Sequence, residues 1–236
     1  EVMSQVLGFT NLDEHGVEGI ELAYDDWLTG TEGKQKIIRD NRGRIVENVD
    51  LIKHAENGKD LMLSIDRRIQ YLAYSELKKS VLENKARSGS AVVLDVKTGE
   101  ILAMVNYPSY NPNSRDTISP SLRRNTTVTD VLEPGSTMKP FTVVAALENG
   151  VDPNISIPIA PGGYRLAGHT ITDTHYYGPT IDLRRLLVKS SNIGSAKLAA
   201  NMTSQHLYSV LNRFGFGEKT ESGFPGESAA VLSAPN

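Results

Sequence analysis

Two short β-rich segments joined by a polar turn constrain the fold of this chain more than any other feature. Residues 89–105 form two runs rich in Val, Leu and Ala, and the turn between them contains Gly99. This pattern is typical of an antiparallel β-hairpin. The segments with helical periodicity that follow it are 136–147, 182–202 and 203–214. A hairpin placed before a run of helices predicts an α+β fold with an antiparallel sheet and argues against a doubly wound parallel sheet.

The residues before about 60 form a polar, loop-rich opening. Apolar residues recur every three or four positions over 13–30, which predicts an amphipathic helix. Residues 37–49 predict two extended runs around a turn at 40–43. A new unit is expected near residue 60, where an extended segment at 61–63 leads to Asp66 as the cap of a long helix. We therefore divide the chain into 1–60 and 61–236.

Composition removes several classes of function. The 236 residues are 39% hydrophobic and 22% charged, with a formal net charge of −3 and no block of five like charges. A surface for nucleic acid or for an anionic membrane is therefore not expected. With 0 Cys, the chain has no disulfide, no thiolate nucleophile and no Cys-ligated metal. The apolar runs are far shorter than the roughly 18 residues that span a bilayer, so any membrane anchor is expected outside this chain.

Candidate nucleophiles are hydroxyls beside a base. The spacing Ser-x-x-Lys places both groups on one helix face, so the lysine amine is expected within hydrogen-bond reach of the serine oxygen. Chance alone gives about one such match in a chain of this composition, so the bare motif is weak. The chain has two matches. Ser75 and Lys78 lie within the long helix and are interpreted as a solvated helix face. Ser136 and Lys139 have a different context.

The second Ser-x-x-Lys motif is expected at the start of a helix. Pro134 and Gly135 end the preceding loop, and Pro140 is tolerated only in the first turn of a helix. Backbone N–H groups at a helix start stabilise a developing oxyanion, which suits Ser136 as a nucleophile. On this context alone, a capping serine followed by a surface Lys139 remains an alternative.

A second polar group, at residues 190–192, favours catalysis. Ser190, Ser191 and Asn192 interrupt an apolar helical pattern, which is unfavourable without a purpose. The hydroxyl of Ser190 and the amide of Asn192, brought against Lys139, could relay its proton and hold a substrate carbonyl. A Ser-x-Asn triplet alone is expected by chance in a chain of this length, but its pairing with Ser-x-x-Lys is informative. The candidate catalytic residues are Ser136, Lys139, Ser190 and Asn192.

With these motifs, the chain resembles the class B penicillin-binding proteins, D,D-transpeptidases that cross-link peptidoglycan, and among them the division-specific type of Gram-negative bacteria. Residues 133–140 and 189–192 resemble the first two active-site motifs of that family. The resemblance extends over nearly the whole chain. The other segments that carry it are 16–21, 27–30, 39–44, 95–104 and 107–113.

The resemblance implies a penicillin-binding/β-lactamase-like transpeptidase fold preceded by part of a small pedestal domain. The family also needs a third motif, Lys-Ser/Thr-Gly, on a strand after the other two. Lys97-Thr98-Gly99 precedes Ser136 and is interpreted as a hairpin turn. We therefore expect the third motif beyond Asn236 and an incomplete fold within this chain.

The resemblance also implies roles for the candidate residues. Ser136 would attack the penultimate D-alanine carbonyl of a peptidoglycan stem pentapeptide, with a neutral Lys139 as the base. Ser190 would relay protons toward the leaving amine. Asn192 would orient Lys139 and, with Ser136, bind the substrate. β-Lactam antibiotics imitate the terminal dipeptide and would acylate Ser136.

No cofactor and no metal is implied. His169, Asp173 and His175 lie close in sequence but lack a ligand spacing, so we interpret them as an ordinary polar loop. The implied partners are membrane proteins of the division machinery, and the implied location is the periplasmic face of the inner membrane. The alternatives are a β-lactamase-type hydrolase or β-lactam sensor on the same fold, or a catalytically inert division scaffold.

Overall fold

The computed structural model describes residues 1–114 and 119–235 in two compact units. The first unit contains Glu1–Asp130 and Glu221–Ser228. The second contains Val131–Thr220 and the residues from Ala229 onward. Asn236, the end of the sequence-based second domain, lies outside the described residues, as do 115–118.

The first unit contains short elements around one long helix and two hairpins. In chain order, these are α1 (Ser4–Leu7), β1 (Phe9–Thr10), β2 (Gly16–Glu18), α2 (Gly19–Ala23), α3 (Asp25–Leu28), β3 (Lys34–Arg39), β4 (Ile45–Lys53), α4 (Arg67–Glu83), β5 (Gly89–Leu94), β6 (Ile101–Tyr107), α5 (Pro120–Arg123) and α6 (Thr126–Thr129).

The single helix predicted over 13–30 is wrong. The segment forms β2 and the two short helices α2 and α3. Gly19 has a φ of +64°, outside the right-handed helical region, and a Cβ there would lie 2.6 Å from the carbonyl oxygen of Val6. Tyr24, between the two helices, has φ −121° and ψ 27° and also leaves helical geometry. A contact with α1, distant in sequence, therefore overrides the local periodicity.

The hairpin predicted at 89–105 and the two extended runs predicted around the turn at 40–43 are confirmed. β3 pairs antiparallel with β4 across the turn at 40–43, and β5 pairs antiparallel with β6. The long helix α4 begins as predicted, since the Asp66 carboxylate accepts from the N–H groups of Arg68 at 2.8 Å and Ile69 at 3.3 Å. The extended run predicted at 61–63 is not a strand.

Buried Gln70 ties α4 to β6. Its side chain donates to the carbonyl of Met104 and accepts from the Met104 N–H, each at 2.8 Å. A backbone pair in β6 is thereby satisfied by a helix side chain. The hairpin is held against α4 by a polar contact as well as by apolar packing.

The second unit contains the three helical segments expected from the sequence. After a 3₁₀ turn at Gly135–Met138 come α7 (Lys139–Glu148), β7 (Ile157–Pro158), β8 (Tyr164–Leu166), β9 (His169–Ile171), β10 (Thr180–Ile181), α8 (Leu183–Lys189), α9 (Asn192–Ala200) and α10 (Ser204–Arg213). β7 pairs antiparallel with β10, and β8 pairs antiparallel with β9. These antiparallel pairs combined with helices confirm the α+β class.

The core of the second unit lies between its helices. Ala145 and Ala146 of α7, Leu186 of α8, Leu198 of α9 and Val210 of α10 are each 0–1% exposed. Small side chains on α7 allow its close packing against the neighbouring helices. This packing brings the start of α7 to the junction between α8 and α9. Within the described parts of the chain, no helix is both long and apolar enough to span a bilayer.

Candidate active site

Ser136 lies on the 3₁₀ turn that leads into α7. Gly135 before it has a φ of +60°, a conformation that glycine adopts without strain. The N–H of Lys139 donates to the carbonyl of Ser136, and Pro140 occupies the first turn of α7. The predicted helix start is therefore confirmed, although the α-helix itself begins at Lys139. Ser136 is exposed.

Lys139 is only 9% exposed, and its amine is held by the second polar group. Nζ donates to the Ser190 carbonyl at 2.5 Å, the Ser190 hydroxyl at 2.8 Å and the Asn192 amide oxygen at 2.7 Å. The alternative of a surface lysine is therefore wrong. The hydrogen bond expected between the Ser136 hydroxyl and the Lys139 amine does not occur among the described residues. A lysine ammonium has three N–H donors, and these contacts use all of them.

The break between α8 and α9 turns Ser190 toward Lys139. Ser190 ends α8 in the left-handed conformation, with φ 54° and ψ 45°. Ser191 then caps α9, accepting from the N–H of Gly194 at 2.9 Å. Because the helix is broken at this point, the carbonyl and the hydroxyl of Ser190 both reach the same amine. The break is therefore part of the site's geometry.

Asp173 is a site residue that the sequence analysis missed. Its carboxylate accepts from the Ser191 hydroxyl at 2.7 Å, the Asn192 N–H at 2.5 Å and the Ile193 N–H at 3.1 Å. The helix that begins after Ser191 has N–H groups that need acceptors, and a nearby carboxylate is a strong candidate. That need was the signal in the sequence. The loop of Asp173 is therefore more than an ordinary polar loop.

The Asn192 side chain is fixed at both ends. Its amide nitrogen donates to the carbonyl of Thr172 at 3.0 Å, which leaves its oxygen facing Lys139.

The neighbouring His175 ring stacks on Tyr177, with centroids 6.4 Å apart. Among the residues that the structure describes, no three His, Cys, Asp or Glu side chains cluster closely enough to hold a metal.

Burial lowers the pKa of Lys139 below that of an ordinary lysine, and the attraction of Asp173 works in the opposite direction. Desolvation disfavours the ammonium form, whereas a nearby carboxylate favours it. The site thus contains an amine whose neutral form is easier to reach than that of a surface lysine. A neutral amine can accept a proton from a hydroxyl.

The other sequence matches lie in the first unit as surface features. Ser75 lies within α4, and the Nζ of Lys78 is 5.9 Å from the centroid of the Tyr107 ring. Residues 97–99 are exposed at the tip of the β5–β6 hairpin. The Asp95 carboxylate accepts from the N–H groups of Lys97 and Thr98 at 2.8 and 3.2 Å. The turn is interpreted correctly from the sequence, whereas the helix face is solvated at Lys78 but half-buried at Ser75.

Two family models match the chain. Residues 89–235 match the penicillin binding protein transpeptidase domain. Residues 3–63 match the penicillin-binding protein dimerisation domain. The first match spans more than half of the chain and contains all four candidate catalytic residues.

Similar proteins carry related names. The probable peptidoglycan D,D-transpeptidase PenA of Neisseria flavescens is 47% identical over 94% of this chain and 56% of its own length. The peptidoglycan D,D-transpeptidase FtsI of Escherichia coli K12 is 45% identical over 98% of this chain and 39% of its own length. The chain thus spans about half or less of each relative's length.

A solved structure agrees with these relatives. A peptidoglycan synthetase from Bifidobacterium adolescentis aligns with a TM-score of 0.77 and 30% identity, covering 99% of this chain and 42% of that one. The expected fold, a transpeptidase portion preceded by part of a smaller domain, is confirmed by this likeness and by the two family matches.

Proposed function

Because the chain belongs to the penicillin-binding protein transpeptidase family, we propose that it provides the acylating serine of a peptidoglycan D,D-transpeptidase that acts in septal cell-wall synthesis. The observation that carries the proposal is the buried amine of Lys139, hydrogen-bonded to Ser190 and Asn192 in the unit that also contains Ser136. The relatives named FtsI and PenA support the same reaction.

In the acylation step, the Ser136 oxygen bonds to the carbonyl carbon of the penultimate D-alanine of a stem pentapeptide. Its proton passes to the neutral amine of Lys139. The amide bond to the terminal D-alanine breaks, and the proton moves from Lys139 through the Ser190 hydroxyl to the leaving amine. Asn192 keeps Lys139 in place and binds the substrate backbone. The amine of a second stem peptide then attacks the ester, and Ser136 regains a proton.

The hydrogen bonds of Lys139 support this proton path. A neutral amine has two N–H donors and one lone pair. It can keep its bonds to the Ser190 carbonyl and the Asn192 oxygen, which leaves the lone pair for the Ser136 proton. Once protonated, the amine donates its third N–H to the Ser190 hydroxyl, as in the structure, and the O–H of Ser190 is then free to donate to the leaving amine. Catalytic hydrogen bonds are often absent before substrate binds, so Ser136 joins this network in the substrate complex.

We further propose a boundary near residue 60 between a pedestal portion, 1–60, and a transpeptidase portion, 61–236. The separate family matches at 3–63 and 89–235 support it. β-Lactam antibiotics acylate Ser136, so changes at this site alter antibiotic resistance. The partners are membrane proteins of the division machinery, and the location is the periplasmic face of the inner membrane. The likeness to FtsI supports these assignments.

Covalent labelling by a fluorescent penicillin tests the proposal. The full-length protein should be labelled, and Ser136→Ala should abolish the label because the attacking oxygen is gone. Ser75→Ala is the matched control, since Ser75 belongs to the other Ser-x-x-Lys motif, and labelling should persist. Label that survives Ser136→Ala would remove Ser136 as the nucleophile. Rapid loss of the label by hydrolysis would instead indicate a β-lactamase-type enzyme.

A further inference from the structure

We propose that Asn57 is a site of spontaneous modification, at which the side-chain amide is lost through a cyclic imide formed with the backbone nitrogen of Gly58. The same tripeptide, Glu-Asn-Gly, occurs at 56–58 and again at 148–150. Asparagine before glycine is well suited to this reaction, because no side chain shields the following nitrogen. The two asparagines share their nearest neighbours in sequence, so a difference in reactivity between them comes from the fold.

The reaction needs water and no other reactant. The backbone nitrogen of Gly58 loses its proton and bonds to the side-chain carbonyl carbon of Asn57. The bond from that carbon to the amide nitrogen breaks, and ammonia leaves with the proton. Water then opens the cyclic imide at either of its two carbonyls. Opening at one carbonyl gives aspartate, and opening at the other gives isoaspartate, in which the backbone runs through the former side chain.

The nitrogen of Gly58 is available for this attack. Asn57 and Gly58 are both exposed and lie in the irregular segment between β4 and α4. Within residues 1–114 and 119–235, the N–H of Gly58 donates no hydrogen bond, and the side-chain amide of Asn57 makes none. The nitrogen and the carbonyl carbon can therefore approach each other without first breaking a hydrogen bond.

Asn149 has the same neighbours but is held at the end of a helix. It is the C-cap of α7, with φ −79° and ψ 7°. The N–H of Gly150 donates to the carbonyl of Leu147 at 3.0 Å. The helix end must open before this nitrogen can attack. A hydrogen bond of ordinary strength shifts such an equilibrium by up to about tenfold, so Asn149 should react more slowly than Asn57 by on the order of tenfold.

The chain is attached on both sides of the modified position. Glu56 and Thr31 exchange two backbone hydrogen bonds, at 2.8 and 3.0 Å. The indole of Trp27 donates to the carbonyl of Asp60 at 3.0 Å, and the Nζ of Lys59 lies 4.3 Å from the centroid of the indole ring. Isoaspartate would add a carbon atom to the backbone between these attachments, whereas aspartate would leave the length of the backbone unchanged.

The backbone at Gly58 has no space for this extra atom. A Cβ on Gly58 would lie 1.7 Å from the carbonyl oxygen of Leu28, so the two backbones are in close contact. Isoaspartate at position 57 therefore displaces Gly58 from Leu28 and loosens the contacts of Trp27. Trp27 is the single tryptophan of this sequence and is 46% exposed, so its fluorescence should move to longer wavelength as its exposure increases.

The experiment follows both asparagines in the full-length protein during incubation at mildly alkaline pH. Proteolytic peptides that contain Asn57 or Asn149 are analysed by mass spectrometry for replacement of the amide by a carboxyl group. In the folded protein, Asn57 should convert faster than Asn149 by on the order of tenfold. In urea the two rates should become similar, because the hydrogen bond of Gly150 is lost. Equal rates in the folded protein, or no conversion of folded Asn57, overturn the proposal.

Two glutamine variants test the structural consequence. Glutamine forms the cyclic imide far more slowly, because its longer side chain requires a larger ring. Asn57→Gln should therefore remove the time-dependent shift of tryptophan emission. Asn149→Gln is the matched control and should keep that shift. A shift that persists in Asn57→Gln, or no shift in wild-type protein that has formed isoaspartate, overturns the predicted displacement of Gly58.

Discussion

Ser190 occupies a backbone conformation that favours glycine, and its replacement should separate stability from activity. Ser190 lies in the left-handed region, with φ 54° and ψ 45°. In this region a residue with a Cβ is destabilised by about 1–2 kcal/mol. Glycine avoids this cost but loses about 0.5–1 kcal/mol through the flexibility of the unfolded chain. Ser190→Gly should therefore be more stable than Ser190→Ala by about 0.5–1 kcal/mol. Both variants lose the hydroxyl contact with Lys139, so that loss cancels in the comparison.

Urea denaturation measures this difference. With a typical urea slope for a small protein, the midpoint of Ser190→Gly should exceed that of Ser190→Ala by roughly 0.3–0.5 M. Ser195 provides the matched control, since it lies inside α9 in helical conformation. There the order should reverse, because alanine is favoured over glycine by about 1 kcal/mol within a helix.

Activity should not follow this stability order. Without the Ser190 hydroxyl, proton transfer to the leaving group loses its relay, and acylation should slow by roughly 10²–10⁴-fold in both variants. A Ser190→Ala variant as stable as Ser190→Gly would refute the assigned backbone conformation. A Ser190→Gly variant that acylates at the wild-type rate would refute the relay.

Two further changes test the packing and the electrostatics of the fold. Gly194→Ala should destabilise the protein by about 1–3 kcal/mol, because a Cβ there would lie 2.9 Å from Cδ1 of fully buried Leu186. Thermal unfolding measures this loss as a lower midpoint temperature. An unchanged midpoint would contradict this close packing. Asp66→Asn should reduce the acid sensitivity of unfolding. The Arg68 guanidinium and, to a smaller extent, backbone N–H groups lower the pKa of Asp66 to about 2. The stabilising effect of the charged Asp66 carboxylate is therefore present above about pH 4 and is lost as the pH falls through about 2. Urea midpoints of the two proteins should converge over that range, and a constant difference would exclude this role for Asp66.

Features that depend on local pattern could be predicted from the sequence. The β5–β6 hairpin, the cap of α4 and the break at Ser190 each follow from residues adjacent in the chain. The helix predicted over 13–30 failed because Gly19 approaches the backbone of Val6, a contact that periodicity does not record. Long-range packing decided that segment.

The candidate site was predictable in composition but not in its hydrogen bonds. The i, i+3 spacing indicated that Lys139 would form a hydrogen bond with Ser136. Packing of α7 against α9 instead places the amine within hydrogen-bond distance of residues more than 50 positions away. The start of α9 indicated that an acceptor was needed, but spacing alone did not select Asp173, because its partners lie 18–20 positions further along the chain. Sequence spacing describes one helix face, but it does not describe which neighbouring element covers that face.

The carbonyl of Ser190 gives the buried lysine an acceptor that substitution of side chains cannot remove. Single changes at Ser190 or Asn192 take away one side-chain partner, while the backbone oxygen, which lies 2.5 Å from Nζ in the unsubstituted protein, is still present. The amine is therefore not stranded in the interior when the second motif mutates, and the cost of an unpaired buried charge is avoided. This arrangement makes the lysine's placement robust to mutation: variants of the second motif can keep the fold while their rate of acylation varies.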